Sequence, residues 1–223
     1  MEIADADDGG MPECLCSFTD SGSVESHRFF LARRTLLEML RDRGFPVPDD
    51  DIALTLPAFR AKFGENPRLD DLRISFTISS DPPKKVLAIF CGTDPFKLST
   101  VREISSYVNK ERLTNLILIL QNKMTSKARG AIKEIFKFRV EIFQVTELLV
   151  NITKHALKPR HELLNEEEKQ KLLKKYNVVE SQLPRMLESD AVTRYYGYEK
   201  GQIVKVTYDG ELTGSHVTYR CIM

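Results

Sequence analysis

The residues that could perform chemistry are few, and their spacing matches none of the common catalytic or metal-binding arrangements. His155 and His161 are separated by Pro159 and by a spacing that suits no pair of ligands on one helix. We interpret both as packing or hydrogen-bonding residues at a domain junction. His27 and His216 are isolated along the chain, and no Ser/His/acid or Cys/His set has local support.

A nuclease would need carboxylates clustered at strand ends beside a lysine. Glu141 lies in a predicted strand, but Phe143 stands where an E-x-K motif requires lysine. Asp70 and Asp71 precede another predicted strand and fit a turn better than a metal site. A nuclease-like enzyme is therefore only an alternative interpretation.

Nucleotide and metal sites are also poorly supported. The chain contains no G-x-G-x-x-G and no G-x-x-x-x-G-K-[ST] motif. Thr125 could help to hold a phosphate at a helix start, although a plain N-cap explains it better. Cys14 and Cys16 have no second pair with which to bind structural zinc, and Cys91 and Cys221 lie far from them. We expect no cofactor and no metal.

Charge is distributed unevenly although the formal net charge is only +1. Every charged residue before Val24 is acidic, so the remainder of the chain is net basic. We expect residues 1–22 to form a flexible acidic tail, because they hold too little apolar surface to order themselves. No apolar run is long enough to cross a membrane, and we predict an intracellular, soluble protein without a membrane partner.

Hydrophobic periodicity predicts an α/β domain over residues 23–144. A helix is expected from Val24 to Gly44, and a short one after Pro57 that ends at Gly64. Between them, Pro46 and Pro48 are expected to keep the chain extended. Strands and helices should then alternate, which implies right-handed crossovers. The expected strands are 72–78, which alternates strictly, 86–90, 116–120 and 139–143, with a turn at 81–83 after the first. The expected helices are 98–108 and 126–136. This pattern predicts a small three-layer α/β domain with a largely parallel sheet.

Residues 145–223 are predicted to form a smaller α+β domain. Asn165 and Glu168 have the spacing of a capping box, and Lys174 and Lys175 fit the last turn of the helix that follows. We place Tyr176 on its inner face. Two alternating runs near the end of the chain predict a pair of antiparallel strands.

Arginines and lysines form two clusters in the first domain. The first includes Arg43 and is expected to line the exposed side of the first helix, and the second surrounds the helix at 126–136. Solvated helix faces have this composition, but so do loose contacts to a phosphate backbone. The candidate DNA-proximal residues are Arg33, Arg34, Arg41, Lys123, Lys127 and Arg129.

The second domain is rich in residues that anchor protein interfaces. Pro184 fixes its own φ, Gly197 fits a left-handed turn, and Arg and Tyr are favoured interface anchors. Tyr195 and Tyr196 could equally be core residues. The candidate partner-docking residues are His155, His161, Pro184, Arg185, Arg194, Tyr195, Tyr196, Gly197, Tyr219 and Arg220.

These residues carry a resemblance to a known family. The chain resembles the fifth subunit of eukaryotic nuclear RNA polymerases, a family that is also related to a component of the archaeal enzyme. The matching segments include Val150–Thr153, Gln182–Arg185, Arg194–Gly197, Gly201–Lys205 and Tyr219–Arg220, and Met39–Phe45 upstream. The resemblance implies a non-catalytic subunit of a nuclear DNA-dependent RNA polymerase. It also implies docking of the second domain on the largest subunit, contact with other subunits, and a first domain near downstream duplex DNA.

Several positions depart from the family pattern. Ala191 and Ser126 stand where the family usually has proline, and the hairpin at 208–214 and the acidic extension are also unusual. Such divergence favours a specialised copy, for example in a polymerase devoted to gene silencing. A stand-alone α/β nucleic-acid-binding protein remains the alternative from a different class.

Overall fold

The structure, a computed structural model, describes residues 22–80, 83–108, 113–210 and 214–223. Two four-stranded sheets organise these residues, one in each half of the chain. The first sheet separates two apolar clusters, and a third, smaller cluster lies against the second sheet.

The first half of the chain begins with three helices and continues with alternating strands and helices. Its elements are α1 (Val24–Asp42), α2 (Asp49–Ala53), α3 (Leu56–Phe63), β1 (Ile74–Ile78), β2 (Lys84–Phe90), α4 (Leu98–Val108), β3 (Asn115–Leu120), α5 (Ser126–Ile135) and β4 (Arg139–Gln144).

The first sheet has the strand order β1-β2-β3-β4, with β1 antiparallel to β2 and the other neighbours parallel. Successive side chains of β3 point to opposite faces. Ile117 and Ile119 join the cluster under α1, and Leu116 and Leu118 join the cluster with α4 and α5. Helices thus cover both faces, which confirms the predicted three-layer α/β fold with a largely parallel sheet.

Helix α1 buries the apolar residues that its periodicity predicted. The Ser23 hydroxyl caps its start by accepting a 3.3 Å hydrogen bond from the N–H of Ser26. Leu36 and Leu40 are fully buried in the cluster between α1 and the sheet. Gly44 follows the helix with a φ of 88°, a conformation that glycine adopts without strain.

The prediction of an extended chain after Pro46 and Pro48 was wrong. Helix α2 lies there, and its first turn consists of Asp49, Asp50 and Asp51. Carboxylates in a first turn are stabilised by the positive end of the helix dipole, a local signal that outweighs the two preceding prolines. The predicted short helix that ends before Gly64 is confirmed by α3.

The second half of the chain contains shorter elements. They are β5 (Arg160–Leu163), α6 (Glu166–Tyr176), β6 (Arg185–Met186), α7 (Ala191–Tyr196), β7 (Ile203–Gly210) and β8 (Gly214–Ile222), with 3₁₀ turns at Val145–Leu148, Ile152–Lys154 and Glu180–Gln182.

Helix α6 has the predicted capping box. Asn165 Oδ1 accepts from the N–H of Glu168 at 2.8 Å, and Glu168 Oε2 accepts from the N–H of Asn165 at 3.0 Å. Tyr176, however, does not lie on the buried face, since 54% of it is exposed. It is the last residue of the helix, directly before the left-handed Asn177, and its ring contacts Lys175 instead of the core.

The second sheet has the strand order β5-β7-β8-β6. Strands β7 and β8 pair antiparallel, as predicted, whereas β6 runs parallel to β8. Sequence reasoning missed β5, β6 and α7. They contain four, two and six residues respectively, too few for hydrophobic periodicity to be read.

Some predictions fall on residues that the structure does not describe. They include the acidic tail apart from Gly22, Cys14 and Cys16 within it, the turn at 81–82, and the tip of the hairpin at 211–213. Cys91 and Cys221 are buried free thiols. Within the described ranges, no helix is long and apolar enough to cross a membrane.

Candidate assembly site at the domain junction

The short helix α7 stands at the junction between the two halves of the chain. Asp190 begins it, because Oδ1 accepts from the N–H groups of Val192 at 2.9 Å and Thr193 at 3.4 Å. Gly197 ends it with a left-handed φ of 71°, as its position in the sequence predicted. The N–H of Gly197 donates to the carbonyl of Arg194 at 3.3 Å, which closes the last turn of α7 beside the first domain.

Two arginines of the first domain donate to carbonyls at the end of α7. Arg43 donates from Nε to the carbonyl of Tyr195 at 2.8 Å and from Nη2 to that of Arg194 at 2.7 Å. Arg139 donates from Nη1 to the carbonyl of Gly197 at 2.8 Å. Positive charge at a helix C-terminus also interacts favourably with the helix dipole.

Arg43 also forms the most buried ion pair of the junction. Its Nη1 and Nη2 donate to the two carboxylate oxygens of Glu141 at 3.0 and 2.7 Å, and the two side chains are 7% and 10% exposed. Asn115 donates a third hydrogen bond to Glu141 at 2.8 Å. Burial would raise the pKa of Glu141, but the charge and hydrogen bonds of Arg43, with help from Arg139 and Asn115, hold it below its ordinary value.

Tyr195 connects the junction to the end of α1. Its side chain is buried in the same apolar cluster as α1. Its hydroxyl donates to Asp42 Oδ2 at 2.8 Å and accepts from Asn151 Nδ2 at 3.1 Å. Burial raises the pKa of Tyr195 well above its ordinary value, so the hydroxyl stays protonated and can act as a donor.

Glu38 extends this network inside α1. Asn151 Nδ2 donates to Glu38 Oε2 at 2.7 Å, and Lys154 Nζ lies 2.5 Å from Oε1. Burial alone would raise the pKa of Glu38, yet the hydrogen bonds and charge of Asn151 and Lys154 lower it overall. A buried carboxylate on α1 thus holds the segment that begins the second domain.

Arg194 binds the last strand of the first sheet and the turn after it. It donates to both carboxylate oxygens of Glu147 at 2.6 and 3.1 Å and to the carbonyl of Ile142 at 2.6 Å. Its guanidinium also lies 4.5 Å above the ring of Phe143. A planar guanidinium can make both kinds of contact, because its N–H groups donate within its plane while its face stacks on an aromatic ring.

The candidate docking residues consequently divide into groups. Arg194, Tyr195 and Gly197 contact the first domain of their own chain, so they form the internal junction. Tyr196 packs edge-on against Tyr195 and stacks on Tyr198, with centroids 5.1 and 5.3 Å apart.

A second group lies at the far end of the second sheet. Pro184 and Arg185 are exposed and belong to the segment that forms β6. Tyr219 and Arg220 are half-buried in β8, where Arg220 Nη2 lies 3.5 Å from the hydroxyl of Tyr208. The side chains of Arg185 and Tyr219 form no hydrogen bond to a residue that the structure describes, whereas Pro184 contributes no polar side chain.

The two candidate histidines have different environments. His155 is exposed, and its Nδ1 accepts from the N–H of Leu157 at 3.2 Å. His161 is half-buried in β5, with Nδ1 2.8 Å from the carbonyl of Pro159. Burial lowers the pKa of His161. No group of three or more metal-ligating side chains occurs in the part of the chain that the structure describes.

The expected exposure of Arg33 and Arg43 was wrong. Arg33 is only 9% exposed, because α2 and α3 pack over that side of α1. Its Nη2 pairs with Asp51 Oδ1 at 3.6 Å, and its guanidinium lies 5.5 Å from the ring centre of Phe63. Arg43 is buried in the junction described above.

The other basic candidates are exposed. Arg34 stacks on Phe30 at 5.3 Å, and Arg41 pairs with Asp49 at 3.3 Å. Three further candidates are exposed on or just before α5: Lys123, Lys127 and Arg129. None of the last three forms an ion pair with a residue that the structure describes.

Sequence reasoning missed the residues that hold the junction from the first domain. They are Glu38, Asp42, Arg43, Arg139 and Glu141, with Asn151 between the domains. One signal was available: Glu141 is a charged residue between the apolar Val140 and Ile142 of β4, which indicates a buried partner.

Comparison with known proteins identifies both halves of the chain. Residues 23–108 match the family described as RNA polymerase Rpb5, N-terminal domain, and residues 150–222 match RNA polymerase Rpb5, C-terminal domain. The second match includes α7 and the whole of the second sheet.

Individual relatives match over nearly their full length. DNA-directed RNA polymerase V subunit 5A of Arabidopsis thaliana is 55% identical over 94% of each chain. DNA-directed RNA polymerases IV and V subunit 5B of the same plant is 52% identical over 90% of this chain and 92% of its own. DNA-directed RNA polymerases I, II, and III subunit RPABC1 of Caenorhabditis elegans is 32% identical over 90% of this chain and 98% of its own.

Proposed function

The chain belongs to the RNA polymerase Rpb5 family, and from this premise we propose that it is built into a specialised nuclear RNA polymerase of the IV or V type. Members of the family are non-catalytic subunits, and catalysis lies in the large subunits. The role of this chain is therefore structural, and it serves DNA-directed transcription within a larger complex.

One observation carries the choice of polymerase. The chain is 55%, 52% and 47% identical to three Arabidopsis subunits whose names specify polymerase V or polymerases IV and V. It is 32% identical to a nematode subunit named for polymerases I, II and III. Residues such as Ala191 and Ser126, where the resemblance led us to expect proline, are consistent with a divergent copy that serves gene silencing.

We assign docking on the largest subunit to the second domain. The support comes from exposed Pro184 and Arg185 and from Arg220, whose guanidinium forms no ion pair with any described residue. An arginine without an internal ion pair is a favourable anchor, because a carboxylate of the partner subunit can complete its hydrogen bonds.

We further propose that the first domain lies near downstream duplex DNA. Lys123, Lys127 and Arg129 are exposed together at the start of α5 and can contact phosphates without reading sequence. The junction supports this role, because Arg43, Arg139 and Arg194 would hold the first domain in a fixed orientation once the second is docked.

Affinity purification from nuclei tests the proposal. An epitope-tagged chain, expressed at its native level, should recover a complete polymerase whose largest subunit, identified by mass spectrometry, is that of polymerase IV or V. Recovery of only the largest subunits of polymerases I, II and III would contradict the assignment to a specialised polymerase. Recovery of no polymerase would contradict the function itself.

A paired variant tests the docking surface. Replacing Arg185 and Arg220 together by alanine should reduce the recovered largest subunit about tenfold or more, as expected for interface anchors. The control replaces Lys171 and Lys174 on α6, which are also exposed, and should recover as much polymerase as the unchanged chain. Equal loss in both variants would indicate a general charge effect.

A further inference from the structure

The outer edge of β8 has no strand partner along most of its length. Strand β8 spans Gly214–Ile222, and β7 pairs with it on one side throughout. On the other side the two-residue strand β6 pairs only with Cys221 and Ile222. The structure describes no strand beside the rest of this edge.

The direction of the backbone groups along this edge follows from two hydrogen bonds. The N–H of Ile222 points inward and donates to the carbonyl of Gln202 at 2.9 Å, while the N–H of Cys221 points outward and donates to the carbonyl of Pro184 at 2.9 Å. Backbone groups of successive residues alternate between the two sides of a strand. The N–H and C=O groups of Ser215, Val217 and Tyr219 therefore point to the open side.

Pro184 explains why β6 pairs no further. The carbonyl of Pro184 accepts from the N–H of Cys221. In a regular parallel ladder, the same residue would also donate its own N–H to the carbonyl of Tyr219. Proline has no N–H, so the ladder stops there and the Tyr219 carbonyl stays open. The edge is also accessible, because residues 214–217 are exposed and residues 218–220 are half-buried.

Two arginines flank this edge on opposite faces of the sheet. Arg185 is in register with Cys221, and Arg220 is the next residue along β8, so their side chains leave the sheet on opposite sides. Neither forms an ion pair with a residue that the structure describes. The groups beside the open backbone edge thus favour carboxylates.

We propose that the outer edge of β8 accepts an extended, acidic strand from another polymerase subunit, which adds to the second sheet beside Ser215–Tyr219. Main-chain hydrogen bonds of the added strand bind the outward groups, and its carboxylates meet Arg185 and Arg220. This inference rests on the proposed function, because it specifies how the chain is held in a polymerase.

Amide hydrogen exchange resolved to single residues provides the first test. In the free full-length chain, the outward amides of Ser215, Val217 and Tyr219 should exchange quickly, whereas the inward amides of Thr218 and Arg220 should exchange slowly. In the polymerase purified through the same chain, the outward amides should slow by about a hundredfold or more. Outward amides that remain fast in a recovered polymerase would overturn the strand addition and leave the proposed function intact.

A proline substitution provides the second test. Val217→Pro removes one outward N–H at an edge position where the ladder to β7 needs no donor, and Val217→Thr keeps that N–H with a strand-forming side chain. The proline variant should be recovered in polymerase at least about tenfold less than the threonine variant. If the proline variant melts well below the threonine variant, its recovery is not used, and the hydrogen exchange of the unchanged chain decides whether a strand is added at this edge.

The remaining outcomes show whether the edge binds something other than a polymerase strand, and whether the inference or the proposed function has failed. Equal recovery of the two variants with similar melting temperatures would overturn the inference. A free chain that is dimeric by light scattering, and becomes monomeric with Val217→Pro, would identify the occupant as a second copy and also overturn it. If the unchanged chain recovers no polymerase, the proposed function fails instead.

Discussion

The guanidinium of Arg43, directly after α1, binds the carboxylate of Glu141 in β4 and two carbonyls in the last turn of α7, those of Arg194 and Tyr195. One side chain therefore connects the first helix, the first sheet and the second domain. The ion pair is 7% and 10% exposed, so its partners are protected from water.

Replacing Arg43 by methionine should destabilise the chain by about 3 kcal/mol, because the buried carboxylate of Glu141 would lose both hydrogen bonds of this ion pair. It would keep only the amide of Asn115 and the more exposed guanidinium of Arg139, whose Nε lies 3.3 Å from Oε1. Urea unfolding measures this change in free energy. The matched control is Arg41→Met, which removes an exposed pair with Asp49 and should cost less than about 1 kcal/mol. Similar losses of stability in the two variants would show that the buried pair with Glu141 contributes no more than an exposed ion pair.

Acid should weaken the junction. Folding lowers the pKa of Glu38 and Glu141 below their ordinary 4.5, so their contribution to stability is complete above that value and is lost as the pH falls through the folded pKa. The free energy of unfolding should thus decrease below pH 4.5. Glu141→Gln should flatten this decrease, whereas Glu134→Gln on the exposed side of α5 should leave it unchanged. A slope unaffected by Glu141→Gln would contradict the assignment.

Two glycines should respond to alanine in opposite directions. Gly197→Ala places a Cβ 3.2 Å from Arg43 Cζ at a φ of 71°, so it should cost more than about 1 kcal/mol. Gly130 lies within α5 with no atom near a Cβ, and alanine there should stabilise the chain by up to about 1 kcal/mol. Thermal unfolding of both variants checks this prediction, and a stable Gly197→Ala chain would contradict it.

Binding to DNA should depend on the start of α5. Replacing Lys123, Lys127 and Arg129 together by glutamine should weaken binding of any duplex alike. The slope of log affinity against log salt should become shallower by up to about 0.9 for each phosphate that the variant no longer neutralises. Fluorescence anisotropy over a salt series measures both quantities. The control replaces Lys171, Lys174 and Lys175 of α6 by glutamine, which changes the net charge by the same amount. An equal loss of affinity in this control would contradict the assignment of DNA binding to the start of α5.

Local patterns predicted the regular elements well, because those elements are long or well capped. The periodicity of α1, the alternation through β1 and the Asn165–Glu168 capping box each act within a few residues, so a single segment reveals them. Helix α2 was missed because the two prolines before it outweighed its acidic first turn in the interpretation.

The junction could not be predicted in the same way. Arg43 and Glu141 are 98 residues apart in the chain, and nothing local to either specifies the other. Arg33 and Arg34 are neighbours in the sequence, yet only the packing of α2 and α3 determines that the first is buried and the second exposed. The mid-strand position of Glu141 indicated that a partner exists, but only the fold identifies it.

The aromatic and ionic contacts around α7 leave the chain little freedom to bend in its middle. A force applied to β7 and β8 would be carried through Arg194 and Arg43 to α1 and the first sheet, because the described residues between β4 and β5 include two 3₁₀ turns and no long linker. The protein should therefore move as one rigid body. A small rotation of the docked second domain then displaces the far side of the first domain by a larger distance.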